Sequence, residues 1–109
     1  MTVKGFSEEN GFSPTVLADP DREICGVYVG DLLSWVMGRA KSDNAWITIM
    51  SNLNVIAVAS LTDVSCVIFA EGVTPDEELV RVAADKGVNL ITTPLSSYDC
   101  AVRISELLK

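Results

Sequence analysis

The chain has 109 residues, 49% of them hydrophobic and 21% charged, with a formal net charge of -7. That composition fits one globular domain with a real core and excludes a disordered chain. The acidic balance and the scatter of eight Lys and Arg exclude a nucleic-acid or anionic-membrane surface, because no basic stripe forms.

The first predicted element is a short helix within Thr2–Asn10, with Thr2 as its cap and Gly11 as its stop. Pro14–Ala18 reads as a strand, followed by the turn Asp19-Pro20-Asp21 and a second strand over Gly26–Val29 that ends at Gly30. Asp31 is placed to cap the next helix. Leu32, Leu33, Val36 and Met37 fall on one face of it, and it ends at Gly38 or at Ser42-Asp43-Asn44. Trp46–Met50 has strand composition, and Ser51-Asn52 breaks it. Leu53–Leu61 carries strand formers, but Asn52 as a cap, Ala57, Ala59 and an all-round apolar character predict a buried helix.

Cys66–Ala70 is an unbroken apolar run, the pattern of a central parallel strand covered on both faces. Thr74-Pro75-Asp76-Glu77 reads as a capping box with Pro at the first helical position. Leu79, Val80, Val82 and Ala83 give that helix its buried stripe, and Gly87 its left-handed stop. Val88–Thr92 is the last strand. Ser96–Asp99 opens a final helix expected to bury Tyr98, Ala101, Val102, Leu107 and Ile104. Strand–helix alternation of this kind predicts an α/β domain over 1–109, with right-handed crossovers and a mostly parallel sheet.

In such sheets, ligands bind beyond the carboxyl ends of the strands. The candidate ligand residues are therefore Gly30, Asp31, Ser51, Asn52, Asn54, Glu71, Gly72, Thr92, Thr93 and Ser96. Several precede helix N-termini, whose free N–H groups suit a small anionic ligand. The competing reading is that these residues only cap helices and turn the chain. No catalytic, metal or cofactor site is expected. The chain has no His, no C-x-x-C pair, no phosphate-binding loop and no G-x-G-x-x-G run. Cys25, Cys66 and Cys100 are expected to be buried, reduced thiols. Trp35 and Trp46 are expected in the core or an interface. Without an apolar run of membrane length or an apolar leader at Met1–Gly5, the protein reads as cytoplasmic.

Four stretches together resemble a known family. They are Gly30–Met37 (G-D-L-L-S-W-V-M), Trp46–Ala59, Ile68–Gly72 with its Pro-Asp-Glu-Glu continuation, and Gly87–Tyr98. The chain resembles the DRTGG domain family, related to the N-terminal domain of HPr kinase/phosphorylase. The resemblance implies a three-layer α/β/α fold similar to Mur ligase N-terminal domains. It also implies an accessory role beside a partner, self-association as a homodimer, and, for stand-alone members, a link to iron-only hydrogenase gene clusters. Such members sometimes carry the label serine kinase. The namesake run is absent: Ser51-Asn52-Leu53-Asn54 stands where relatives carry Gly-Asp-Arg, and Ala70-Glu71-Gly72 where they carry Thr-Gly-Gly. The phosphate loop of HPr kinase belongs to a catalytic domain absent from these residues, so phosphoryl transfer has nothing here to position it. Three readings follow: a ligand-sensing regulatory domain acting through an unidentified protein partner, a structural interaction module tied to hydrogenase assembly, and, least favoured, an enzyme built on Asp31, Glu71 and Cys66.

Overall fold

The computed structural model describes residues 1–109. A single sheet of five strands organises the chain: β1 (Ser13–Val16), β2 (Val27–Val29), β3 (Ala45–Thr48), β4 (Cys66–Phe69) and β5 (Leu90–Thr92). Their spatial order is β1-β5-β4-β3-β2. β2 to β5 are parallel, and β1 closes the far edge antiparallel to β5. β4, the apolar run Cys66–Phe69, lies in the middle with all four residues buried. A strand covered on both faces needs no polar alternation, which is why its sequence shows none.

Helices cover the two faces, giving three layers. α2 (Leu33–Arg39), α3 (Leu53–Thr62) and α4 (Glu77–Lys86) follow β2, β3 and β4 and pack on one face. Trp46, Val67, Phe69 and Leu90 meet Val36, Val55, Ile56, Leu79 and Ala83 there. α1 (Val3–Ser7) and α5 (Ser97–Leu107) cover the other face. Ala45, Ile47, Cys66, Ile68 and Ile91 meet Val3, Phe6, Cys100 and Ile104 on that side. The alternation of side chains along each strand sends neighbouring residues into opposite cores.

The caps explain the helix starts. Thr2 caps α1 by accepting from the Gly5 N–H, Asn52 caps α3 from the Asn54 N–H, and Ser96 caps α5 from the Asp99 N–H. Gly87, at φ 75°, ends α4 in the left-handed conformation expected of it.

Five expectations need correction. α3 is buried on one face only: Val55, Ile56, Val58 and Ala59 are buried, while Leu53 and Leu61 are exposed. Asp31 does not cap α2. Leu32 occupies that position without a side-chain hydrogen bond, because the Asp31 carboxylate turns to β3 instead. The cap of α4 is Asp76, not Thr74: its carboxylate accepts from the Leu79 N–H at 2.9 Å, and Pro75 is a buried residue before the helix. α5 buries Cys100 and Ile104, while Tyr98 is 75% exposed and Val102 also faces solvent. The helix is rotated so that the small Cys100 fits against the sheet. Cys25 is exposed, so only Cys66 and Cys100 are buried thiols.

Candidate functional site

The four parallel strands end on one edge of the sheet, and the candidate residues lie along it. After β2, the Gly30 carbonyl accepts from the buried Trp46 indole N–H at 2.9 Å. Asp31 Oδ1 accepts from Thr48 Oγ1 at 2.8 Å and from the Ile49 N–H at 3.0 Å, tying the ends of β2 and β3 together. After β3, Ser51 is exposed, Asn52 is committed to its cap and Asn54 is exposed on the first turn of α3.

After β4, Glu71 and Gly72 adopt φ of 61° and 76° in succession. Their amides donate to the carbonyls of Leu95 and Thr93, at 2.8 and 3.0 Å. The turn thereby clasps the loop after β5. Gly72 supplies the left-handed conformation without cost, whereas Glu71 holds it against a side-chain penalty. The Glu71 carboxylate reaches the start of α5, where Oε2 accepts from the Ser97 N–H at 2.9 Å. Thr93 is buried. Its hydroxyl donates to the Gly11 carbonyl at 2.7 Å and accepts from the Leu95 N–H.

The structure does not gather all ten residues into one place. Gly72, Thr92 and Thr93 share a shallow cavity of about 190 Å³ with Ser13, Val73, Thr74 and Pro94. Glu71 and Ser96 sit beside it at the α5 cap. Gly30, Asp31, Ser51, Asn52 and Asn54 form a separate group around the ends of β2 and β3. Two larger cavities lie elsewhere: an apolar groove of about 230 Å³ between α3 and α4, and one of about 220 Å³ floored by Arg22 and Asp63.

Charge along this edge runs one way. Asp31, Glu71, Asp76, Glu77, Glu78 and Asp99 occupy its loops and first turns, and those segments contain no Lys or Arg. A free anion therefore meets no cationic side chain from those segments. At α5, moreover, the Glu71 carboxylate already holds one of the N–H groups an anion would use.

No His is present, and no three Cys, Asp or Glu side chains converge as a metal site requires. Burial pushes the Cys66 and Cys100 thiols up to about 12, so both stay protonated at neutral pH. No helix is long and apolar enough to cross a membrane.

Sequence reasoning passed over two polar clusters, both structural. Asn89, 1% exposed, donates to the carbonyls of Asp19 and Ser65 and accepts from the Asp19 N–H. An Asn entering an apolar strand is the signal that could have found it. Arg22 bonds Asp43 through two nitrogens and also reaches the Asp63 carboxylate and carbonyl. Hydrogen bonds from Ser42 and then Arg22 hold the Asp63 carboxyl below its ordinary range.

The DRTGG domain family model matches residues 21–107. The chain is a DRTGG domain. A crystal structure of the CBS and DRTGG domains from the regulatory region of a Clostridium perfringens pyrophosphatase, complexed with its activator diadenosine tetraphosphate, has a similar fold. The TM-score is 0.64 at 20% identity, over 84% of this chain and 40% of that one. This DRTGG domain thus spans two fifths of that regulatory region's length, and the likeness is one of fold. No curated protein matches the chain at a significant level.

Proposed function

We propose that this DRTGG domain is a non-catalytic regulatory module that senses a small ligand at the carboxyl edge of its sheet and acts through a partner protein. One observation carries the reading: the domain shares its fold with part of a regulatory region crystallised with a nucleotide activator. The shallow cavity at Gly72, Thr74, Thr92 and Thr93 is the favoured ligand position. The acidic edge shapes what could bind. A dinucleoside polyphosphate would approach as its magnesium complex, with its phosphate charge already screened, rather than as the free anion. The domain would work as a homodimer, and a hydrogenase-linked partner rests on resemblance alone.

The test is a thermal-shift screen of the full chain against nucleotides and dinucleoside polyphosphates, with and without magnesium. A ligand at a hundredfold excess over its dissociation constant adds about 2.7 kcal/mol, which moves the melting temperature by roughly 10 °C. Thr74 is exposed at the cavity and makes no side-chain hydrogen bond, so Thr74→Glu should abolish the shift without unfolding the protein. Thr93 and Asn52 are unsuitable for this purpose, because both hold the fold together. A shift unchanged in Thr74→Glu would remove this cavity as the site.

A second reading, an interaction module without a ligand, is favoured by the exposed Leu32 at the cap of α2 and the exposed Trp35 and Met37 on it. Under it the screen gives no shift.

A further inference from the structure

The two edges of the sheet differ. β1 carries Pro14, which has no N–H to offer, and an irregularity between Pro14 and Val16, both of which discourage pairing. β2 has neither protection. The Gly26 carbonyl accepts from the Ala45 N–H, and the Gly30 N–H donates to the Ile47 carbonyl. By the alternation of a parallel ladder, Tyr28 between them bonds to β3, and Val27 and Val29 aim their backbone groups outward. Val29 is 48% exposed.

Beside this open edge runs α2. Val36 is buried against the sheet, and α3 lies along the other flank. The helical period and the right-handed β2–α2–β3 crossover turn Leu32, Trp35 and Arg39 toward the edge. Leu32 is 59% exposed and Trp35 57%, with the Arg39 guanidinium 3.8 Å from the Trp35 ring centroid. Arg39 and Lys41 make no ion pair and lie near the amino end of β2, while Asp31 follows its carboxyl end.

That layout is complementary to itself. A two-fold axis normal to the sheet sets β2 antiparallel to its own copy, pairs Val27 with Val29 of the second copy, and forms about four backbone hydrogen bonds. The same rotation lays α2 against α2 through Leu32 and Trp35 and brings the Asp31 end of one copy to Arg39 and Lys41 of the other. We propose that β2 and the outward flank of α2 form the contact with a second copy of this chain, joining two sheets into one. The inference rests on the homodimer reading above and is independent of ligand binding.

Sedimentation velocity on the full chain over a concentration series tests it. The wild type should dimerise. Val29→Lys and Trp35→Glu should each weaken self-association roughly tenfold or more, and Lys41→Glu by a smaller factor. Tyr98→Glu, at a 75% exposed position on α5, should leave it unchanged. Far-UV circular dichroism checks that each variant is folded. A dimer indifferent to both Val29→Lys and Trp35→Glu would overturn this surface alone. A wild type that stays monomeric throughout would overturn the surface and the homodimer together, leaving ligand sensing untouched.

Discussion

At the scale of single residues, Asn89 does more for the fold than its place in the sequence suggests. It ties the loop before β2 to the amino ends of β4 and β5 through three hydrogen bonds. Asn89→Ala strands a buried Ser65 carbonyl and should cost about 2–3 kcal/mol in urea unfolding. The cysteines give a second prediction. A thiol reagent should modify only Cys25 in the native protein and all three once it unfolds. Because burial raises Cys66 and Cys100 to about 12, their unfolded forms ionise first. Stability is therefore unaffected by these thiols below about pH 8.5 and falls as pH rises from there toward 12, by on the order of 1 kcal/mol per pH unit for each. None of the three states was separable in the sequence. Cys25, in a loop before Gly26, and Cys66, inside an apolar run, look alike until the sheet covers one and not the other.

At the scale of elements, most of the fold was legible, and the misses share a cause. The central strand and the Gly87 stop each rest on a local pattern that tertiary packing reinforces, whereas α3 is a helix as expected but buries one face only. The cap of α4 was misplaced because two acceptors stood near its start, and only geometry decides between them. At α4, Thr74 and Asp76 compete, and the hydrogen bond goes to Asp76. Asp76→Ala should destabilise the protein by about 1 kcal/mol, while Thr74→Ala should be nearly neutral, and paired denaturation curves measure the difference. At α2, Asp31 gave up the cap to join β2 to β3, a long-range choice invisible in a local window. The burial of α5 failed for a similar reason. Its period fits two rotations, and contact with the sheet selects the face bearing Cys100 and Ile104.

For the whole molecule, the strand-end rule named residues along one edge of the sheet but could not say which of them share a cavity. Half of the candidates turn out to serve caps and clasps, and Gly72, Thr92 and Thr93 open on the one cavity at that edge. The acidity of the edge was present in the sequence all along, yet it became a property of a surface only once the loops after β2, β4 and β5 were seen together. Under the proposed function, that acidity favours a ligand that brings its own cation over a free anion. The most direct measurement is an amide chemical-shift titration of the labelled domain with the magnesium complex of a dinucleoside polyphosphate. The proposed site predicts saturable shifts centred on Gly72, Thr74, Thr92 and Thr93. Shifts centred instead on Ile56 and Val82 in the α3–α4 groove, or none at saturating ligand, would contradict it.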